Sequence, residues 1–228
     1  MKSIIKRRQA GFSLIELAVV LIIMGLLIGG ILKGRDLIES ARLKRVVSQL
    51  NELRMATSTF LDKYEALPGD FNKASTQINS TLPNGNGNGR IEGAGLAPGS
   101  EALTFWSHLV WAGLLGSPGL ESDLNKGEFG KGAPESALGG GFTVEENPLG
   151  LKGLWLILGR KHGDHGTGGL LTPSQALSLD KKMDNGHPTS GKVRAVDGTD
   201  KAQHSCVTSK ETYNLENDEA ACILLFQL

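Results

Sequence analysis

The sequence has no excess of charge of either sign, because 24 basic and 24 acidic residues give a formal net charge of zero. The first eleven residues hold four basic residues and no acidic one, so their removal leaves a net charge of −4. Proteins that bind nucleic acid through bulk electrostatics need a surface rich in lysine and arginine. We therefore expect no nucleic-acid partner of that kind.

Catalytic signatures are also missing. The chain has only two cysteines, and no serine or cysteine nucleophile comes with a base and an orienting residue that the sequence lets us pair. The five histidines do not form the tight ligand set that marks a zinc site. The sequence therefore predicts a protein that is not an enzyme, and a metal-dependent hydrolase ranks last among the functions that we consider.

Proline is absent before Pro68, although the whole chain has eight. The longest apolar run lies in this proline-free part, from Phe12 to Leu32, and Glu16 is its only charged residue. At about 1.5 Å per helical residue the run is about 31 Å long, which is enough to cross the hydrocarbon core of a bilayer. It is therefore predicted to be a transmembrane helix.

The residues before the run differ from an ordinary secretory signal, whose cleavage site follows its apolar region. Here the small residue Gly11 precedes the run, so cleavage after Gly11 would leave the helix on the mature protein. Basic residues at positions 2, 6, 7 and 8 place this leader on the cytoplasmic side, although Lys33 and Arg35 weaken that bias. Everything after residue 33 should then face away from the cytoplasm.

A carboxylate in a membrane helix costs about 3 kcal/mol on insertion scales, so Glu16 should have a partner. Cleavage after Gly11 would create an α-amino cation on Phe12, one helical turn before Glu16. A neighbouring copy of the protein would offer the same cation in a medium of low dielectric constant. We therefore expect Glu16 to pair with the amine of Phe12 and to set the register between subunits.

The stretch Lys6-Arg-Arg-Gln-Ala-Gly11, Phe12-Ser-Leu-Ile-Glu16 and the apolar run after it resemble the class III signal of type IV pilins and type II secretion pseudopilins. The resemblance implies that a prepilin peptidase cleaves between Gly11 and Phe12 and methylates the amine of Phe12, and that Glu16 acts in assembly. It also implies a precursor in the bacterial inner membrane with its head in the periplasm. An inner-membrane assembly platform would then build a filament from copies of this chain and other pilins.

One feature departs from that resemblance, because many type IV pilins have a helix-kinking proline late in the apolar segment. We expect glycines at positions 25, 29, 30 and 34 to loosen the helix instead. The alternative interpretation of the whole segment is a plain single-pass anchor in membrane lipid, with Glu16 present by chance.

Beyond the apolar run, apolar residues recur at helical spacing as far as Tyr64, and the helix should end near Leu67-Pro68-Gly69. We divide the chain into a leader (1–11), a transmembrane helix (12–34), an amphipathic helical stem (35–67) and a globular head (68–228). Most of the stem charges should face solvent. Those charges are Arg42, Lys44, Arg45, Glu52 and Arg54.

The head also resembles a subgroup of pilin-like proteins, which share its Pro-Gly-Asp, Asn-Gly repeat, Trp-x-His-Leu, Leu-Thr-Pro and closing cysteine strand in this order. The resemblance implies an α+β fold, in which a long N-terminal transmembrane-plus-stem helix packs on a head with a small antiparallel sheet. Thirty-one glycines favour a loop-rich head.

Asparagine and glycine alternate in residues 84–92, and this pattern mimics the first part of an EF-hand calcium loop. The twelfth position is Gly95 rather than a bidentate glutamate, so a carboxylate would have to complete the site. The alternative is a tight turn with its asparagines in the left-handed conformation. Calcium is thus the one cofactor that the sequence suggests. Its candidate ligands are Asn84, Asn86, Asn88, Asp70, Glu92 and Glu101.

Two helices and three strands can be predicted in the head. A serine cap and a glycine stop predict a mostly buried helix over residues 100–113, with His108 as a hydrogen-bonded surface histidine. A capping box at Thr172 opens a second helix, which should end at residues 184–186. Residues 154–158 are the clearest strand, and residues 141–144 and the C-terminal residues are further candidates.

Two polar clusters allow a metal site but favour simpler structures. His162 and His165, with His187 and His204 as extra ligands, could bind a metal, whereas a mobile glycine loop is the preferred interpretation. Asp180 and Asp184 lie one helical turn apart and could chelate a cation. The lysines beside them favour an ordinary exposed face.

The two cysteines, Cys206 and Cys222, are separated by fifteen residues. In an exported domain they most simply form one disulfide, worth about 3 kcal/mol, which would fasten the final strand to the head. Taken together, the sequence predicts a structural subunit of a type IV pilus or a type II secretion pseudopilus. The alternative is a membrane-anchored extracytoplasmic module that binds calcium or a glycan and does not assemble into a filament.

Overall fold

The computed structural model describes residues 13–116 and 126–228, so Gly11 and Phe12 lie outside the described residues. The chain forms two compact units, Met1–Ala41 and Arg42–Leu228. Helix α1, Leu14–Tyr64, contributes to both. The helix is unbroken across the four glycines of its apolar part, each of which has no atom within 4 Å of the place where a Cβ would lie. These glycines do not interrupt the helix.

In the first unit, residues 14–41 of α1 expose nearly all of their side chains. The most apolar window of the helix has a mean hydropathy of 2.7 and no buried residue, and α1 is long and apolar enough to cross a membrane. A helix that is apolar and has no protein core around it needs an apolar medium. This part of α1 is therefore compatible with a membrane anchor.

In the second unit, residues 42–64 of α1 bury one stripe of side chains at helical spacing. The buried residues are Leu43, Val46, Leu50, Leu53, Ala56, Thr57 and Phe60. The helix ends where Glu65 takes a left-handed conformation with φ of +52°, and the Glu65 N–H still donates to the carbonyl of Leu61 at 2.9 Å. The end lies three residues before the expected Leu67.

Five strands form an antiparallel sheet with the order β1-β2-β5-β4, and β3 pairs with β2 outside this path. The strands are β1 Gly141–Glu146, β2 Leu154–His162, β3 His165–Gly168, β4 Val193–Asp197 and β5 Cys222–Gln227. The expected strands at residues 141–144, at residues 154–158 and at the C terminus are confirmed, as is the α+β class. Strands β3 and β4 carry no clear sequence signal, because β3 has no apolar side chain and β4 is short and contains two charged residues.

The described part of the second unit also has three α-helices, α2 Ala74–Gln77, α3 Glu101–Trp111 and α4 Pro173–Met183, and a short 3-10 helix, Pro148–Gly150. The Ser100 cap of α3 accepts the N–H of Leu103 at 3.0 Å, and the capping box of α4 forms between Thr172 and Gln175. Both helices are therefore confirmed. Their apolar faces, the stripe of α1 and one face of the sheet share a single core.

His108 lies in this core rather than on the surface, which corrects the expectation, although it is hydrogen-bonded as expected. Its Nδ1 accepts the N–H of Gly69 at 2.9 Å, so its Nε2 donates to the carbonyl oxygen of Pro83, also at 2.9 Å. Burial lowers the pKa of His108, and the bond to Pro83 only partly opposes this. The buried ring is therefore held neutral.

Residues 162–165 form a tight hairpin between β2 and β3. A second polar cluster differs from expectation. Asp180 is fully buried instead of exposed, since it accepts hydrogen bonds from the Tyr213 hydroxyl at 2.7 Å and the Gly186 N–H at 3.1 Å. Burial raises the pKa of Asp180, against the effect of both bonds. The neighbouring Asp184 accepts the backbone N–H groups of residues 192 and 193, so neither carboxylate forms an exposed chelating face.

The predicted disulfide is present between Cys206 and Cys222, whose Cα atoms are 4.9 Å apart. It joins a loop to the first residue of β5. Asp197, at the end of β4, holds the same loop because its carboxylate accepts the backbone N–H groups of His204 and Cys206 at 2.7 and 2.6 Å. The final strand is thus fastened by one covalent bond and by a charged hydrogen-bond acceptor.

Replacing both cysteines, Cys206→Ala with Cys222→Ala, should lower the free energy of unfolding by about 3 kcal/mol, because the unfolded chain loses a cross-link over 16 residues of sequence separation. Urea unfolding of the full chain in detergent measures this change. The wild-type protein under reducing conditions is the matched control and should show a similar loss. Equal stability of the oxidised wild type and the cysteine-free variant would contradict the prediction.

Stability should also depend on pH through His108. Its folded-state pKa lies below its ordinary value of about 6.5, so its contribution is present above that pH and is lost as pH falls below it. We expect the stability of the wild type to fall more steeply between pH 7.5 and 5.5 than that of His108→Gln, by at most about 1.4 kcal/mol per pH unit. Parallel urea-unfolding curves against pH would refute this.

Candidate functional site

The start of α1 is capped by Ser13 and Glu16. The Ser13 hydroxyl accepts the N–H of Ile15 at 3.3 Å, and Glu16 Oε2 accepts the N–H of Ser13 at 2.8 Å. These bonds satisfy backbone donors at the start of the helix. The carboxylate also lies at the positive end of the helix dipole, which favours a negative charge. Glu16 therefore has a local partner in its own chain.

The cap does not use the whole carboxylate of Glu16. An ionised carboxylate can accept about four hydrogen bonds, and the cap uses one oxygen, Oε2. The expected partner, the amine of Phe12, and the expected cleavage site after Gly11 both lie outside the described residues. The pairing of Glu16 with that amine therefore stays a prediction.

Glu16 is the one charged group in a strongly apolar surface. Leu14, Ile15 and Leu17 beside it are 88, 71 and 51 % exposed. In a bilayer, or in a bundle of such helices, an ionised carboxylate among apolar side chains would be costly unless a cation were near it. Glu16 can therefore bind a cation at the start of α1.

A second polar site lies in the head around Asp70, which is 2 % exposed. Its Oδ1 accepts the N–H of Asn88 at 3.0 Å and its Oδ2 accepts the N–H of Gly89 at 2.8 Å. Gly85 packs against the Asp70 backbone so closely that a Cβ at residue 85 would clash with it. The asparagine–glycine loop is thus wrapped around one buried carboxylate.

Two glutamates hold the same loop from the other side. The Glu92 carboxylate accepts the side-chain amides of Asn86 and Asn88, each at 3.0 Å. The Glu101 carboxylate accepts the backbone N–H groups of Asn86 and Glu92 at 2.9 and 3.1 Å. The structure therefore brings five of the six candidate calcium ligands together. The sixth, Asn84, instead accepts the N–H of Ser75 at 2.8 Å and anchors the loop to α2.

The asparagines of this loop are not left-handed, which corrects the conformation expected for a plain turn. The positive φ values belong to Gly87 and Gly89, at +74° and +81°. The side-chain oxygens of Asn86 and Asn88 accept the backbone N–H two residues further on, each at 2.9 Å. Glycine supplies the unusual dihedral angles and asparagine supplies the side-chain turns.

This geometry leaves the calcium hypothesis untested. Residues 13–116 and 126–228 contain no group of three or more His, Cys, Asp or Glu side chains that could hold a metal ion. The amide nitrogens of Asn86 and Asn88 point to Glu92, so a cation would have to displace them from that carboxylate. A calcium site at Asp70, Glu92 and Glu101 therefore remains a prediction.

Comparison with known proteins gives one finding for the N-terminal segment. Residues 6–32 match the family model of the prokaryotic N-terminal methylation motif. These residues carry the signal of type IV pilins and pseudopilins. No curated protein and no solved structure matches the chain. The pilin-type signal thus covers the start of α1 with its Ser13–Glu16 cap, and it ends before the stem and the head.

The sequence shows no sign of the polar residues that face a cavity beside the β2–β3 hairpin. Glu145 of β1 is 7 % exposed and bonds to His165, and Thr199 bonds to His162. Glu145 is followed by Glu146, and an acidic pair at the end of a strand predicts exposure rather than burial. Only the fold shows which of the two glutamates turns inward.

Asp70→Ala should destabilise the second unit by about 2–4 kcal/mol, because it leaves the N–H groups of Asn88 and Gly89 without their buried acceptor. Asp218→Ala removes an exposed acid and is the matched control, with an expected change within about 0.5 kcal/mol. Urea unfolding of the full chain in detergent compares them. Similar losses in both variants would rule out the proposed role of Asp70.

The calcium hypothesis makes a separate prediction, a higher melting midpoint in calcium than in chelator. Glu92→Gln should remove that difference, since it neutralises the carboxylate that both asparagine amides contact. The control is Glu211→Gln, an exposed glutamate in another loop. An unchanged midpoint in the wild type would show that the loop is a turn without calcium.

Proposed function

We propose that this chain is a structural subunit, a pilin or pseudopilin, of a type IV pilus or a type II secretion pseudopilus. A prepilin peptidase cleaves it between Gly11 and Phe12 and methylates the amine of Phe12. An inner-membrane assembly platform then builds a filament from copies of the chain and related pilins. The observation that carries the proposal is the N-terminal methylation motif on residues 6–32.

The apolar surface of α1 supports this proposal. Residues 14–32 place exposed apolar side chains on every face of the helix, so the segment can be surrounded by lipid before assembly and by similar helices after it. Hydrocarbon and packed apolar helices offer media of similar polarity. The same apolar surface of the helix therefore suits both environments.

The single charge of that surface supports assembly more specifically. Glu16 is fixed by its cap to Ser13 while one carboxylate oxygen stays free of that cap. The new α-amine of a cleaved chain is the cation that the proposal brings to it. Pairing in a low-dielectric medium is strong and position-dependent, so it can set how far one subunit advances past the next.

The localisation belongs to the same proposal. We place the leader in the bacterial cytoplasm, α1 in the inner membrane and the head in the periplasm before assembly. The disulfide between Cys206 and Cys222 supports an oxidising compartment for the head. The pilin-type motif also favours a structural subunit over an enzyme.

A second candidate function is a membrane-anchored binding module that does not polymerise. The loop around Asp70 favours it, because three carboxylates and two asparagine side chains meet there. In this case the head would bind calcium or a glycan and α1 would serve only as a tether. The two candidates differ in whether the charge of Glu16 matters beyond membrane insertion.

Variants at Ser13 and Glu16 separate the charge of Glu16 from its local hydrogen bond. Glu16→Gln removes the charge and keeps a side-chain oxygen that can accept the N–H of Ser13, whereas Ser13→Ala removes the hydroxyl and keeps the charge. Glu16→Ala removes both the charge and the bond from the Ser13 N–H to Glu16, while the Ser13 hydroxyl can still accept the N–H of Ile15. We expect all three variants to insert into the membrane, but only Ser13→Ala to be incorporated into filaments.

Membrane fractions and sheared filaments, each probed for the chain, measure the two steps. Loss of incorporation in both Glu16 variants, with Ser13→Ala incorporated, is the expected result. If Glu16→Gln assembles as well as the wild type, the charge is not used in assembly. If the wild type inserts into the membrane but is absent from the filament fraction, the pilin proposal gives way to the tether.

A further inference from the structure

The hairpin between β2 and β3 brings two histidines together. His162 and His165 are directly opposed partners across it, and Gly163 turns the chain with φ of +59°. Directly opposed residues of an antiparallel pair place their side chains on the same face. Both imidazoles accordingly line one open cavity of about 350 Å³, together with Glu145, Thr167 and Thr199.

The tautomer of His165 follows from its partner. Its Nδ1 is 2.9 Å from Oε1 of Glu145, and that oxygen also accepts the N–H of Gly95 at 3.0 Å. An ionised carboxylate can only accept hydrogen bonds, so Nδ1 carries the proton. In the neutral ring, Nε2 is then the nitrogen with the free lone pair.

His162 is also held through Nδ1, in this case by a hydroxyl. Its Nδ1 is 3.0 Å from Oγ1 of Thr199, which also lies 3.1 Å from the carbonyl oxygen and 3.0 Å from Oγ1 of Thr167. When the Thr199 hydroxyl donates to Thr167, it accepts from His162 Nδ1, and the lone pair of the ring lies on Nε2.

Metal-binding histidines show this same arrangement, in which one ring nitrogen donates to a protein oxygen and the other is left for the metal. Imidazole nitrogens bind Zn²⁺, Ni²⁺ and Cu²⁺ in preference to Mg²⁺ or Ca²⁺. We propose that Nε2 of His162 and Nε2 of His165 form a two-nitrogen site for a divalent transition-metal ion, with water completing its coordination. The site is separate from the asparagine–glycine loop and does not depend on filament assembly.

The site has fewer protein ligands than a structural zinc site. The described residues include no group of three or more His, Cys, Asp or Glu side chains that could hold a metal. His187 and His204, which the sequence suggested as extra ligands, do not line the cavity, and His204 Nδ1 instead contacts the carbonyl oxygen of Val207. Two ligands and water make the bound ion exchangeable with solvent, and the affinity should rise from Zn²⁺ to Cu²⁺.

Binding of Ni²⁺ and Cu²⁺ to the full, unassembled chain in detergent tests the proposal, with titration calorimetry as the measurement. We expect one equivalent to bind, and His162→Gln and His165→Gln each to weaken binding at least tenfold. His204→Gln is the matched control and should bind like the wild type. Melting curves without metal check that each variant is folded.

A spectroscopic measurement separates metal ligation from a merely structural role. Electron paramagnetic resonance of the Cu²⁺ complex should show coupling to two imidazole nitrogens in the wild type and to one in each single variant. Thr199→Val and Glu145→Gln should each weaken binding about tenfold with both nitrogens still bound, because they change how the rings are oriented. If the wild type binds no metal, or if the double variant His162→Gln with His165→Gln binds as tightly, the proposal is overturned. Neither outcome bears on the Glu16 test of filament incorporation.

Discussion

The burial of one stripe of α1 is the contact on which the second unit depends. Val46, Leu50 and Phe60 have no exposed surface, and they belong to the same core as α3, α4 and one face of the sheet. Phe60 also stacks at 6.1 Å on the ring of His108, which binds the N–H of Gly69 just after the helix. The end of α1, the turn that follows it and helix α3 are therefore joined at one buried point.

Buried or half-buried carboxylates organise the loops around that core. Four carboxylates each accept two or more backbone N–H groups from residues at least seven positions away in the sequence. They are Asp70, Glu101, Asp184 and Asp197. Such charge-assisted bonds are roughly twice as strong as neutral ones. A glycine-rich head with short strands has few ladder hydrogen bonds to fix its loops, so these acceptors take over that role.

Much of this fold could be predicted because its signals are local. The proline-free apolar run, the Ser100 and Thr172 caps and the apolar strand at residues 154–158 each act within a few residues, and each was confirmed. The buried states of His108 and Asp180 could not be predicted. Their partners, Gly69 and Tyr213, lie 39 and 33 residues away, and a polar residue on a helix is normally exposed unless such a partner exists.

The candidate sites also combine features that the sequence predicts with features that only the fold shows. The sequence suggested Asp70, Glu92 and Glu101 as carboxylates that could complete a site at the asparagine loop, and the structure places all three beside it. The sequence could not show that the side-chain nitrogens of Asn86 and Asn88, rather than their oxygens, face Glu92. The orientation of each side chain depends on the bond that its oxygen accepts from the backbone N–H two residues further on. The direction of an amide decides whether a loop of this composition presents oxygens to a cation or closes on itself.

The start of α1 shows how one carboxylate can satisfy two demands. A helix whose first turn lies in an apolar medium must satisfy its free N–H groups, and Glu16 Oε2 does so for Ser13. That bond draws the charge to the positive end of the helix dipole, where it is stabilised before any partner arrives. The cap fixes the position of the carboxylate and leaves its other oxygen without a described bond. If this segment lies in a membrane, as we propose, the bond lowers the cost of keeping the charge there. In the proposed filament, a cation from a neighbouring chain would meet an acceptor that is already oriented, and pairing would require little loss of side-chain freedom.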